Sequence, residues 1–398
     1  MLVFEIFILS YLGFVVFHNL FFSLISFTYS EKKFYRNNTD EYLKIAVLLP
    51  AYREDAVILS SARHAVTHDY PADKFTIMVI ADSLQDETVH RLRATGAEVL
   101  VVDFEQSTKV KSLQAALRKL DGYDIAVILD ADNVMKKGFL SLINQAYKNG
   151  YTCIQGRRTA KNTNTQFAFL DGISESVNNR IFRRGYNAAG LSAALIGSGM
   201  AFPFTVLRDH INSMNSVGGF DRELNLRLLN ERRKIHYLES AVVFDEKVER
   251  PEVFANQRKR WLSSQFVYLR RFFAKGCRAL VTGNFAFFES AVLNNLLLPR
   301  ILTLGILPIV SLLFFLVRNY LHVWWGWPAL FFLLYIVALM IAVPREYFNK
   351  RLFAAVTRLP QAFFIMFLTL FKLRNANKRF IHTPHSVVGP ELNEDDSN

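Results

Sequence analysis

The run AVILDADNVM, Ala126 to Met135, is an apolar stretch that ends in two carboxylates, Asp130 and Asp132, separated by one alanine. In an extended chain alternate side chains share a side, so the two acids point together. Two like charges that close raise each other's pKa unless a cation sits between them. A hard divalent ion, Mg²⁺ or Mn²⁺, meets that need, since it takes carboxylate oxygen and is commonly completed by substrate phosphates. The same residues also suit a solvated turn in which Asp132 and Asn133 cap a following helix. On this motif alone both readings stand.

The elements around it narrow the choice. Strand-like and helix-like runs alternate: KIAVLLPAY, a helical run from Asp55, FTIMVIADS, a helix from Asp86, AEVLVVDF, a helix through SLQAALRKL, and DIAVILDAD. Alternation of this kind predicts a parallel sheet with helical crossovers, whose ligands bind beyond the carboxyl ends of the strands. Polar residues collect at those ends. The first strand runs into Pro50, Ala51, Tyr52, Arg53 and Glu54, the second into Asp82 and Ser83, and the fourth into the acidic pair, while Lys109 precedes the third helix. Glu54 and Asp86 read best as helix caps. A lysine and a metal site on one edge suit a diphosphate, and Asp82 suits a base or ribose hydroxyl. Neither G-x-G-x-x-G nor G-x-x-x-x-G-K-[ST] occurs, which argues against a dinucleotide or P-loop site.

Composition sets the frame. Of 398 residues 51% are apolar and 36 are phenylalanine, with the excess at the two ends. Val3 to Phe27 is long enough to span a bilayer and has no basic start, so it reads as an uncleaved anchor. Lys32, Lys33 and Arg36 follow it and the only charged residue at its start is Glu5, which predicts an outer N-terminus and a cytosolic domain. Ile301 to Val317 and Trp325 to Val343 read as spans joined by the outer turn RNYLH, and Leu352 to Phe371, basic at both ends, as an interfacial or re-entrant helix. The net charge of +12 crowds the membrane flanks, where anionic lipid attracts it, and no nucleic-acid module is present. Cys153 and Cys277 fit neither a disulfide framework nor a zinc site. The expected organisation is an anchor over 1–30, a cytosolic domain over 43–271, membrane and interfacial helices over 285–373, and a cytosolic tail over 374–398.

The ordered motifs PAYRED, IADS, KVKSLQAAL, LDADN, GSGMAF, DRELNLRL and QRKRW resemble those of the membrane-bound family 2 glycosyltransferases, which include cellulose, chitin and hyaluronan synthases. The resemblance covers roughly Ile45 to Trp261, and Q-x-x-R-W is its most specific element. It implies an α/β GT-A-type (Rossmann-like) cytosolic domain flanked by N- and C-terminal transmembrane helices, with a UDP-sugar donor, Mg²⁺ or Mn²⁺, and inverting transfer. By position it makes Asp82 the uridine contact, Asp130 and Asp132 the metal and diphosphate motif, and Lys109 a diphosphate contact. Asp221 becomes the catalytic base; Gln257, Arg260 and Trp261 contact diphosphate and acceptor sugar. One position departs, because the usual E-D pair reads Phe220-Asp221. Lys378 to His385 resembles a gating loop in which Thr383 contacts the diphosphate.

The function expected first is extension of a β-linked polysaccharide at the cytosolic face of the membrane. Second comes addition of a single sugar to a lipid acceptor, and third, in another class, a transporter or channel with a nucleotide-sensing domain. The few membrane segments and the lack of polar residues read within them count against the third.

Overall fold

The computed structural model describes residues 1–37 and 41–371, so Thr383 and the proposed gating loop lie outside the described residues. Eight strands form one sheet: β1 (Ile45–Tyr52), β2 (Phe75–Asp82), β3 (Glu98–Val102), β4 (Ile125–Ile128), β5 (Val134–Met135), β6 (Cys153–Ala160), β7 (Met200–Pro203) and β8 (Ile235–Asp245). Their order is β3-β2-β1-β4-β7-β6-β8-β5. In β1, Ile45, Val47 and Leu49 face one buried cluster, with Ile58, Phe139 and Ile143, and Ala46 and Leu48 face another, with Leu113, Phe204 and Leu228. Burial on both faces is why the strand reads as a continuous apolar run.

The first four strands are parallel, as their alternation with helices predicts. The second half is mixed. β7 runs antiparallel to both β4 and β6, and β5 antiparallel to β8. β7 emerges directly from the GSG turn, needs no crossover helix, and at four residues carries too little pattern to read as a strand.

The apolar ends fold as helices packed on this domain. The helix Leu2–Ile25 buries Leu12 and Val16 against Leu307, Phe331 and Tyr335. Its far end packs Phe22 on Ile181 and Tyr186 of the domain. Gly185 permits that approach, since a Cβ there would collide with the Phe22 carbonyl. His18 and Asn19, halfway along, are buried polar residues that the sequence reading passed over; His18 Nε2 meets the Tyr186 hydroxyl at 3.0 Å and Asn19 Nδ2 donates to the Val15 carbonyl at 2.8 Å.

Only this N-terminal helix is both long and apolar enough to cross a membrane, among the described residues. The expected span Ile301 to Val317 is the helix Arg300–Leu316, bent by 55° from Phe285–Leu296. That over Trp325 to Val343 is the helix Trp327–Ala342, 16 residues and thus about 24 Å long, shorter than a hydrocarbon core. Lys350–Val356 and Leu359–Phe371 meet at 41°, a broken pair in the region read as interfacial or re-entrant. Pro299 and Pro344 stand at the starts and ends of these pieces, where they stop helices from running on.

Candidate active site

Asp130 and Asp132 do not sit on the strand. β4 stops at Ile128 and the pair occupies a turn, closed by Asn133 N donating to the Asp130 carbonyl at 3.1 Å. No helix follows for them to cap; β5 follows, and the next helix begins at Phe139 behind Gly138. The GSG turn clamps this loop. Ser198 Oγ accepts from Asp130 N at 2.9 Å and donates to Asn133 Oδ1. From the other side Asp132 Oδ2 accepts from Glu246 N at 2.9 Å, and Asn133 Nδ2 donates to Asp245 Oδ1 at 3.0 Å. Sequence reading quoted GSGMAF without a role; here it holds the acidic turn.

Lys109 opens the helix Lys109–Lys119, which Thr108 caps by accepting from Lys111 N at 3.2 Å. Its ammonium bonds Asp130 Oδ1 and the Gly197 carbonyl, the latter at 2.8 Å. It also lies 5.0 Å from the Phe220 ring centre. Phe220, standing where the resemblance led us to expect an acid, thus supports the same cation through its ring face.

Asp82, at the end of β2, is 1% exposed. Its Oδ1 accepts from Ser107 Oγ at 2.9 Å and Ser83 Oγ at 3.1 Å, while Oδ2 is buried with no hydrogen-bond partner. Burial, with Asp103 nearby, raises its carboxyl above the usual range. A buried acceptor left open in this way suits an N–H or hydroxyl of a nucleoside. Of the two acids read as caps, Glu54 is buried and lines the cavity; its backbone carbonyl, not its side chain, accepts from Val57 N and Ile58 N. Asp86 begins a helix whose cap is Gln85.

Asp221 lies in the first turn of the helix Phe220–Asn230, behind Gly219 in the left-handed region. Gly197, at φ +86°, passes so close that a Cβ there would lie 3.7 Å from Asp221 Oδ2. Burial raises the Asp221 carboxyl, against the pull of Arg222, Lys109 and Arg158. Glu223, four residues before Arg227, pairs with it at 2.7 Å and is fully buried, with Arg271 bound as well.

The helix Pro251–Val281 presents Gln257, Arg260 and Trp261 three and four residues apart, hence on one face. Gln257 Oε1 is buried without a partner, and burial lowers the Arg260 pKa against the pull of Asp130 and Asp221. Arg258, unassigned from sequence although inside the same motif, lies 4.2 Å from the Trp261 ring centre and bonds Asp171.

All eight described site residues expected from sequence line one cavity of about 830 Å³. Its donor end is polar; its far wall is made by Leu304, Ile336, Leu339, Met340, Val343 and Leu359 of the apolar helices. No cluster of three His, Cys, Asp or Glu ligands occurs among the described residues. Two carboxylates beside the Lys109 ammonium nevertheless fit Mg²⁺ or Mn²⁺, ions held by one or two carboxylates with the remaining ligands from phosphates and water.

A curved α/β sheet with an acidic turn at a parallel strand end, facing a lysine and a Q-x-x-R-W helix, is the frame of a nucleotide-sugar transferase. Residues 43–264, more than half of the chain, match the model of the glycosyltransferase like family 2, and the chain belongs to that family. It is 25% identical over 273 residues to the probable glycosyltransferase YdaM of Bacillus subtilis, covering 64% of each chain. It is 26% identical over 231 residues to a beta-monoglucosyldiacylglycerol synthase of Trichormus variabilis, covering 54% of this chain and 48% of that one. The chain thus spans less than two thirds of these curated relatives. The mannosyltransferase PcManGT of Pyrobaculum calidifontis, solved with GDP-Man and Mn²⁺, shares the fold, with TM-score 0.53 at 16% identity over 89% of this chain and 99% of that one.

Proposed function

We propose that the protein transfers a sugar from a UDP-sugar, with inversion, to a lipid-borne acceptor at the cytosolic face of a membrane. The observation that carries this reading is the single cavity that begins at Asp82, Lys109 and Asp130 and ends among leucine, isoleucine and methionine side chains of the apolar helices. A growing glycan is polar along its length and gains nothing from such a wall; an acyl or isoprenoid tail does. Polysaccharide extension, the reading that sequence placed first, is the rival.

Asp82 takes the nucleoside, and Lys109 and Arg260 hold the diphosphate through charge-assisted bonds. Asp130 and Asp132 hold a divalent ion, which when bound neutralises charge on the diphosphate. Asp221 accepts the proton of the acceptor hydroxyl as its oxygen bonds to the anomeric carbon. The bond from that carbon to the diphosphate oxygen breaks, and its electron pair leaves with UDP. Lys109 and Arg260 stabilise that negative charge where it grows. Trp261 supplies an aromatic face for the accepting headgroup, with Gln257 beside the diphosphate.

The test is to incubate the purified chain in lipid with labelled UDP-sugars and to separate lipid-extractable from polymeric product. We expect label in the lipid fraction; label only in polymer restores the rival. Trp261→Ala should raise the acceptor KM about fivefold, the effect of losing roughly 1 kcal/mol of ring contact, with UDP affinity kept. Arg260→Ala should weaken UDP itself. Equal loss of UDP affinity in both variants would remove the separation of donor and acceptor roles.

In the same proposal the N-terminal helix spans, the broken apolar pairs complete the membrane part, and the catalytic domain is cytosolic. Glu5 accepts from His322 N at 2.9 Å and Val323 N at 3.2 Å, so the chain start and the RNYLH turn share one end of the helices. With Cys153 and Cys277 replaced by serine, Tyr320→Cys should react with a membrane-impermeant maleimide in intact cells and Tyr42→Cys should not. The opposite pattern would invert the orientation.

A further inference from the structure

We infer that the lipid acceptor carries a phosphate, bound where the cavity passes from its polar to its apolar wall. The inference rests on the lipid-acceptor reading above.

Three cations there share two carboxylates. Arg158 pairs with Glu175 at 2.8 Å and Asp245 at 3.6 Å, Arg183 with Glu175 at 3.2 Å, and Lys247 with Asp245 at 2.7 Å and Glu175 at 3.7 Å. Burial by itself would raise the Glu175 carboxyl, yet Arg158, Lys247 and Arg183 draw it well below the usual range, so it is ionised. Arg258 has one carboxylate of its own, Asp171. Arg300 has none within 4.0 Å among the described residues; it donates to Asn178 Oδ1 at 2.7 Å, to the Ser174 carbonyl at 2.9 Å and to Ser174 Oγ at 3.0 Å. Of these five cations Arg300 is the one with no carboxylate of its own among the described residues.

A cation enclosed without a carboxylate is unfavourable unless a ligand balances it. Two guanidinium donors are also open: Nε of Arg158 and Nε of Arg258 are buried without a hydrogen-bond partner. Arg258 has a side chain only 8% exposed. A phosphate brings one to two negative charges and oxygens matched to guanidinium forks. Lys109 and Arg260, beside Asp130, are left to the donor diphosphate. Beyond Arg300 the wall becomes Leu304, Leu339 and Met340, so a phosphate held here extends its tail into the apolar arm. Basic pockets between membrane helices bind lipid headgroups by this logic.

Phosphatidylglycerol, attacking through a glycerol hydroxyl, and polyprenyl phosphate, attacking through its phosphate oxygen, both satisfy this chemistry. In each the acceptor oxygen bonds to the anomeric carbon and UDP leaves with the electron pair; the glycerol hydroxyl gives its proton to Asp221, whereas an ionised phosphate oxygen has none to give. The full chain in detergent is offered these two lipids and uncharged diacylglycerol, with lipid retention read by native mass spectrometry and transfer by product mass. We expect at least tenfold better retention and transfer with a phosphate lipid, the product mass telling which. Arg300→Gln should lose that preference while UDP titrates as in wild type, and Arg300→Lys should recover part of it. Should Arg300→Gln fail to fold, the three-lipid comparison on wild type decides alone. Equal use of diacylglycerol, or loss of UDP affinity in a folded Arg300→Gln, overturns the phosphate site; product on no lipid at all overturns the lipid-acceptor reading instead.

Discussion

Asp221→Asn is expected to lower turnover by about 10² to 10⁴ and to leave UDP affinity nearly unchanged, because a general base acts on the acceptor and not on the donor. Its surroundings support the role. The carboxyl sits at the head of a helix against the Gly197 backbone, with the Lys109 ammonium close enough to bias its ionisation. Its rivals are committed elsewhere: Glu223 to Arg227 and Arg271, Asp245 to Lys247 and Arg158. The pH dependence has a definite sign. Burial raises the Asp221 pKa, so as pH falls the carboxylate takes up a proton at a higher pH than an ordinary aspartate, near 3.9, would. The acid limb of kcat/KM should therefore lie above that range in wild type and disappear with Asp221→Asn. Near-normal turnover in the variant would remove Asp221 as the base.

Asp132→Asn should weaken divalent-dependent UDP binding by 100-fold or more, beyond the 10- to 100-fold cost typical of disturbing a ligand's supporting shell. Asp132 is 2% exposed, and its Oδ2 accepts from Glu246 N. Asparagine keeps an acceptor oxygen for that bond, so the turn should survive while the charge is lost. Calorimetric UDP titrations with and without Mn²⁺ read the effect directly; equal titrations for variant and wild type would sink the metal assignment. Unfolding midpoints measured alongside separate loss of charge from loss of fold.

Some of this was legible in the residues and some was not, for identifiable reasons. Of the four parallel strands β1, β2 and β4 could be read because each is largely buried on both faces and so appears as an apolar run bounded by polar residues, while β3, half exposed at the sheet edge, could be read from its β-branched residues. The site residues could be named because acids and a lysine at strand ends, and a Q-x-x-R-W spacing on a helix, are local patterns. The acidic turn misled: strand alternation was extended through Leu129 into a segment where the backbone already bends. Arg258 sat in plain view, but nothing local separates a guanidinium that lines a cavity from one that faces water.

Order along the chain thus specified the parallel half-sheet, the identity of the chemical groups and the apolar ends, since these follow from periodicity and residue type. Packing between distant segments decided the rest. Met200–Pro203 became a strand only by pairing with β4 and β6, and the apolar stretches became broken helices at their prolines, one of them too short to span. The cation cluster around Arg300 exists only because residues 158, 183, 247, 258 and 300 meet in one cavity. Charge balance inside a cavity depends on which side chains share it, and sequence separation does not report that.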